Sequence, residues 1–420
     1  MARQVIRDFI HEPQRVFLRK AMFQIHLWVG LLLAIYAVLI GLSGSILVLR
    51  QEFQEWTGLN PQFGAIEASG AKLGFAGAEA VLRERFPKAR LGLMYPPRKE
   101  NPAYYVFLAD GRKRLSVSVH PYTGEILEAK APEANWLTWV GQLHYFLLLP
   151  RTPGFQINGI LSALLVLMAV TGIVIWWPGI RQWVRGFVVD FRKNWKRVNF
   201  DLHNVVGFWT LSIVTIWAIS GVYLVWPQPF TAAVNAISPV HIEGARENRV
   251  RASENKSGLV TGLGAIETEA ATLLPGSHIG AIAFPSSKTA PLMLYMVKDG
   301  KESLSGADFL YFDSATGAHL KTSLRNNPQT AGDWVIWLMR PLHFGTHWGL
   351  AVKILWFVLG LSLPLLGVTG VLMYWNRYLS KKWRALRARG AAVHGGEFRA
   401  AREASTLVYE RATEERSEVS

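Results

Sequence analysis

Ile25-His26-Leu27-Trp28-Val29-Gly30 and, further along, Leu202-His203-Asn204-Val205-Val206-Gly207 open two long apolar stretches with the same pattern of residues. Seventeen residues after each histidine stands a Ser-Gly step, Ser43-Gly44 after His26 and Ser220-Gly221 after His203. Two further apolar stretches are preceded by Leu143-His144 and Leu342-His343 and carry Thr171-Gly172 and Thr369-Gly370. The chain therefore reads as one unit written twice, with a histidine attached to each of four apolar segments.

Those segments lie at roughly 22–49, 157–177, 202–226 and 348–375 in a chain of 420 residues that is 50% hydrophobic. A bilayer core of about 30 Å needs about 20 helical residues, so each segment is long enough to span. The first is too long for a signal-peptide core and lacks a small-residue cleavage site, which predicts a retained anchor. The formal charge of +15 does not point to nucleic acid, because the basic residues flank the spans. Arg3, Arg7, Arg15, Arg19 and Lys20 precede the first, and Arg181, Arg185, Arg192, Lys193, Lys196 and Arg197 separate the second from the third. Arg377, Lys381, Lys382, Arg384, Arg387 and Arg389 follow the fourth. The positive-inside rule then makes both termini cytoplasmic and sends the two long loops to the other side, the periplasm of a bacterial inner membrane. Cysteine is absent, which removes disulfides, thiolate metal sites, iron–sulfur clusters and covalent haem attachment.

The expected order is a cytoplasmic segment (1–20), a span (21–49), a first loop domain (50–135), and an amphipathic segment with the second span (136–178). A basic cytoplasmic loop (179–200), a third span (201–226), a second loop domain (227–332), an amphipathic segment with the fourth span (333–376) and a cytoplasmic tail (377–420) complete it. In the first loop, helical periodicity over Ala78–Phe86 ends at Pro87, and strand-like runs follow at Arg90–Tyr95, Ala103–Leu108 and Leu115–Val119. In the second loop, a helix over Ile266–Leu274 ends at Pro275 and runs follow at His278–Phe284, Leu292–Val297 and Phe309–Phe312. Thr123-Gly124 and Thr316-Gly317 read as matching hairpin turns. The fold class is a four-helix membrane bundle with two α+β loop domains and a parallel internal repeat.

The loops resemble PepSY domains, and the layout over residues 20–378 resembles the PepSY-associated transmembrane family, which includes inner-membrane reductases of ferric siderophores such as ferrioxamine. The resemblance implies b-type haems and a role in iron uptake. Only the histidine positions carry over from it, and the tail from Gly390 to Ser420 has no counterpart.

The residues themselves point toward haem. Spans one and three run in the same direction, so His26 and His203 share a depth near the cytoplasmic face. His144 and His343 share the opposite face, which yields two bis-histidine pairs, each able to hold one non-covalent haem. Ser43-Gly44 and Ser220-Gly221 lie about 26 Å along their helices from His26 and His203, beside the His144–His343 pair. Thr171-Gly172 and Thr369-Gly370 lie beside the His26–His203 pair, and all four steps read as notches for a flat macrocycle, or alternatively as close helix contacts. His347 is a substitute ligand or donor beside His343. His11, His120, His241, His278, His319 and His394 read as surface residues. Trp136, Trp139, Trp334 and Trp337 read as an interfacial belt or as cover for the periplasmic pair, and Lys353 as snorkelling to the surface.

Two redox centres stacked across a bilayer suit electron transfer, here to a ferric siderophore that is released as Fe(II). No G-x-G-x-x-G follows a strand in the short cytoplasmic segments, so the expected donor is a membrane quinol or a separate cytoplasmic reductase. The competing expectation is a haem-free, membrane-anchored PepSY protein that binds or regulates a peptidase. A transporter finds little support in a parallel duplication with few intramembrane charges.

Overall fold

The computed structural model describes residues 2–59, 66, 70–98, 102–111, 113–131, 135–180, 183–242, 250–255, 259–300, 304, 306–325, 327–345 and 347–383. Arg181, Arg384, Arg387, Arg389, His394 and the tail lie outside the described residues. Along the chain, α1 (Ala2–His11) is followed by α2 (Phe17–Val48), α3 (Arg50–Trp56) and α4 (Gly74–Arg85). Strands β1 (Arg90–Tyr95), β2 (Tyr104–Asp110), β3 (Lys113–Val119) and β4 (Ile126–Lys130) precede α5 (Trp136–Phe146) and α6 (Arg151–Trp176). Then come α7 (Trp195–Val225), α8 (Pro227–Asn235) and α9 (Leu263–Leu273). Strands β5 (Ser277–Ala283), β6 (Leu292–Lys298), β7 (Asp308–Phe312) and β8 (His319–Ser323) lead to α10 (Ala331–Phe344), α11 (Leu350–Gly360) and α12 (Ser362–Tyr374).

Four helical stretches are long and apolar enough to cross a membrane: Phe17–Val48, Arg151–Trp176, Trp195–Val225 and Leu350–Trp383. The second and third begin earlier than their apolar runs, at Arg151 and Trp195, because charged and polar residues extend a helix readily once an apolar segment has nucleated it. The fourth is interrupted at Leu361 between α11 and α12 and passes through a π-turn at Trp375–Leu379 before its last turn, which reaches Trp383.

The chain divides into two compact units. One, the helical unit, comprises residues 1–35, 171–209 and 365–420. In it Trp177 Nε1 donates to Phe9 O at 3.1 Å and Ile180 N to Ile10 O at 3.0 Å, fixing α1 to the segment after α6. Arg19 Nη2 donates to Ile175 O at 2.7 Å, and Trp176 stacks on Phe208 at 4.2 Å.

The other, the sheet-bearing unit, comprises residues 36–170 and 210–364. Its eight strands form one antiparallel sheet in the order β4-β3-β2-β1-β5-β6-β7-β8. The strands of the two loops join edge to edge: β1 pairs with β5 through Leu93–Ala283 and Met94–Ile282, and one core spans both loops. Alternation places Tyr104, Val106 and Leu108 of β2 on the buried face with Leu82 of α4 and Ile266 of α9, alongside Leu292 and Leu294 of β6. The helices are cross-capped. Glu267 of α9 accepts the Phe75 and Ala76 N–H groups at the start of α4 at 3.2 and 2.7 Å, and Glu79 of α4 takes the Val260 N–H just before α9. Burial pushes both carboxyls up, against these hydrogen bonds.

Strands β4 and β8, absent from the expected elements, complete hairpins whose turns need Gly124 and Gly317 at φ 76° each. In the first hairpin His120 Nδ1 accepts the Tyr122 and Thr123 N–H groups, and in the second Asp313 Oδ1 accepts those of Ala315 and Thr316.

Candidate functional site: two histidine pairs

In the helical unit, α2 presents His26 and α7 presents His203, with ring centroids 6.4 Å apart and ring planes at 89°. Thr171 Oγ1 of α6 lies 2.9 Å from His26 Nδ1, and Thr369 Oγ1 of α12 lies 2.9 Å from His203 Nδ1. Asn199, one turn before His203, donates to Thr369 O at 3.0 Å and holds α7 against α12.

In the sheet-bearing unit the histidines come from short helices, His144 from α5 and His343 from α10, and their centroids are again 6.4 Å apart, at 63°. The hydroxyls now come from the spanning helices: Ser43 Oγ of α2 is 3.0 Å from His144 Nδ1 and Ser220 Oγ of α7 is 2.9 Å from His343 Nδ1.

The hydroxyls also fix the tautomer. Ser43, Ser220 and Thr369 donate at 2.6 Å to the carbonyls of Leu39, Ile216 and Leu365, one turn back. A hydroxyl has a single proton, so each oxygen accepts from its histidine's Nδ1–H, and the unshared pair is left on Nε2. A donated Nδ1–H is the usual support of a metal-ligating imidazole. Two imidazole nitrogens bound at about 2 Å on opposite sides of one metal ion bring the ring centres about 6 Å apart, the spacing of both pairs. Among the described residues no group of three or more His, Cys, Asp or Glu gathers as a metal site. Each pair thus presents two imidazoles without a third His, Cys, Asp or Glu beside them among the described residues.

A cavity of about 430 Å³ adjoins His144 and His343, within the range of roughly 300–1,000 Å³ common for ligand sites. Its wall is mainly apolar, with Ile40, Phe155, Val214, Trp217, Trp356 and Leu363, and Arg340 is its one charged side chain among the described residues. Ser45 Oγ and Trp217 Nε1, both buried and without a hydrogen-bond partner among the described residues, also belong to lining residues.

The short helices are anchored at both ends. Asn135 caps α5 by accepting the Thr138 N–H at 2.8 Å, and Asn158 of α6 donates to His144 O at 2.8 Å. Two successive leucines after α5, Leu147 and Leu148, take left-handed φ values of 55° and 59°. Thr330 and Asp333 form a capping box at the start of α10, Gly345 ends that helix at φ 64°, and Trp356 Nε1 donates to Leu342 O at 2.7 Å. Asp333 is fully buried and accepts the backbone N–H groups of His241, Ile242, Gln329 and Thr330. Burial opposes its charge, but these bonds outweigh it and hold the carboxyl well below the usual range.

Each histidine expected as a ligand thus stands beside its expected partner, and each Ser-Gly or Thr-Gly step stands beside a histidine. A Cβ on Gly44 would come within 2.9 Å of His144 Cε1, on Gly172 within 3.3 Å of His26 Cε1, and on Gly370 within 3.4 Å of His203 Cε1. These three glycines lie where a side chain would press on the imidazoles. Gly221 departs from the pattern, since its Cβ would meet Ser162 Oγ at 2.9 Å. His347 does not share a face with His343, because the helix ends at Gly345; its ring lies against Trp337 and Trp348. Trp136, Trp139 and Trp334 are 42%, 55% and 49% exposed, as an aromatic belt would be. His120 and His319 hydrogen-bond to near neighbours in the chain, His241 bonds to Asp333 and His278 to Asp299, and none of the four joins either pair. Lys353 pairs with Glu52 at 2.7 Å and is largely buried. Asp333 and Arg340 went unnoticed in the sequence, although Thr330-x-x-Asp333 ahead of an apolar run is a helix-start signal.

The family model for the PepSY-associated TM region matches residues 23–377. No curated protein matches the sequence. The matched region takes in both histidine pairs, all four hydroxyl partners and the whole sheet, and the chain belongs to the PepSY-associated transmembrane family.

Proposed function

We propose that the chain is a di-haem reductase of the bacterial inner membrane that passes electrons to a ferric siderophore in the periplasm, releasing Fe(II) for uptake. The observation that carries this reading is the geometry common to both pairs: two imidazoles 6.4 Å apart, each with Nδ1 on a hydroxyl. His26 with His203 and His144 with His343 would each hold one non-covalent b-type haem. Bound haem supplies a one-electron redox centre whose potential depends on its axial ligands and their hydrogen bonds. Ser43, Thr171, Ser220 and Thr369 orient the imidazoles, and the apolar wall around His144 and His343 excludes water.

The likeness between the two halves supports a parallel internal repeat. The basic flanks of the four spans support cytoplasmic termini and a periplasmic sheet. Electrons would enter from a membrane quinol or a separate cytoplasmic reductase at the His26–His203 pair and leave from the His144–His343 pair. One electron reduces the bound Fe(III), and a chelator built for Fe(III) then holds the softer Fe(II) poorly. The test is purification followed by reduction of ferrioxamine with a quinol analogue and a ferrous-iron trap. The reading expects b-type spectra and ferrous-iron release that His343→Ala abolishes. A folded, colourless protein that binds a peptidase would replace it with the regulatory reading.

A further inference from the structure

Arg340 is the one charged lining residue of the His144–His343 cavity among the described residues, and it stands three residues before His343, on the same flank of α10. It has a second guanidinium for a neighbour. Arg325, only 7% exposed, lies over the Phe309 ring at 5.3 Å, while Arg340 lies over the Phe344 ring at 5.6 Å. Burial first, and then the charge of Arg340, lower the pKa of Arg325, and both arginines act on Tyr295 of β6. Among the described residues no carboxylate comes within ion-pair distance of either arginine. Asp308 accepts the Arg325 backbone N–H at 2.6 Å. Two guanidinium groups that feel each other's charge, one of them buried and neither paired with a carboxylate among the described residues, form a charge arrangement that an anion would complete. A guanidinium is moreover the side chain best shaped to take a carboxylate through two parallel hydrogen bonds.

We propose that Arg340, backed by Arg325, binds a carboxylate of the ligand seated between His144 and His343. The inference rests on the haem reading above and deepens it: the carboxylate is a propionate of the macrocycle. Arg340 then sets the rotation of the ring within the cavity, and its positive charge favours the reduced form of that haem over the oxidised form.

The test uses the full-length chain with His26→Ala and His203→Ala, so that only the His144–His343 pair binds, titrated in detergent with haem b and with its dimethyl ester. The starting protein should bind the free acid about tenfold more tightly than the ester, as expected for a charge-assisted pair. Arg340→Gln should bind the free acid about tenfold more weakly and lose the distinction, with a lower midpoint potential, while Arg340→Lys should keep much of it. Equal affinity of haem and ester in the starting protein, or an unchanged preference in Arg340→Gln, would overturn the inference while leaving the haem reading in place. Unchanged haem affinity with slower reduction of ferric citrate, but not of an uncharged ferric hydroxamate, would assign the arginines to a substrate anion and also overturn it. Absence of haem binding at every pair, in the unmutated chain as well, would remove the underlying reading and the inference together.

Discussion

The two histidine pairs are built from the same parts with the roles exchanged. In the helical unit, α2 and α7 supply the imidazoles of His26 and His203, and Thr171 and Thr369 supply the hydroxyls. In the sheet-bearing unit the same two helices supply the hydroxyls of Ser43 and Ser220, and the imidazoles come from short helices that depend on local caps. One pair is therefore held by the packing of long apolar helices, whereas the other depends on Asn135, Thr330 and Asp333. This difference should separate the two sites experimentally.

The largest expected effect is all-or-none. His26→Ala or His203→Ala should remove one haem of two and leave the His144–His343 site spectrally intact, and His144→Ala or His343→Ala should do the reverse; pyridine haemochrome counts with redox titration would check this. Removal of both haems by one such change would show the sites to be interdependent. Next, Asp333→Ala leaves the backbone N–H groups of His241, Ile242, Gln329 and Thr330, that of Ile242 buried, without this acceptor. It should destabilise the protein by about 3 kcal/mol and weaken haem retention at His144–His343 alone, read by denaturant titration and by haem loss. Equal loss from both sites would contradict the proposed dependence on caps.

Removing a hydroxyl should matter comparably in both units, because the hydroxyl supports the ligand in each. Thr369→Val and Ser220→Ala are each expected to weaken haem affinity at their own site by about tenfold, measured by haem transfer to an acceptor protein. Among the glycines, Gly44→Ala should disturb His144 and shift the spectrum of that site, whereas Gly221→Ala, which meets Ser162 instead, should leave the axial ligands unaltered.

A separate effect, on stability alone, concerns the second hairpin. Burial opposes ionisation of Asp313, but the N–H groups of Ser253, Ala315 and Thr316 bring its pKa down to about 2. A depressed folded pKa stabilises above the unfolded value and loses that contribution as pH falls. Asp313 should thus contribute about 2 kcal/mol that disappears between about pH 4 and pH 2. Acid titration of Asp313→Asn should lack this component of the slope, and an unchanged slope would remove Asp313 as its source.

The spans were legible because apolar length is a local property, and β1 matched its strand-like run, Arg90–Tyr95, residue for residue. The histidine partners were legible through the doubled spacing. Strands β4 and β8 were not: each is a short edge strand directly after a turn, with Glu128 and Lys130 or Lys321 diluting the apolar pattern. The joining of β1 to β5 was hidden as well, since strand pairing between distant segments leaves no mark in either one. The Ser-Gly and Thr-Gly steps were recognised as sites of close approach, but their nearness to the imidazoles was not read, because residue type reveals a close approach and not what approaches. The Lys353–Glu52 pair shows the same limit: a lone lysine near a span end gives no sign of a partner far away in sequence.

The most direct measurement is the oxidised and dithionite-reduced absorption spectrum of the purified full-length protein, with haem counted per chain and repeated for the four histidine variants. The account predicts about two b-type haems per chain, with one lost in each single variant. A pigment-free folded protein, or haem content that survives all four substitutions, would contradict it.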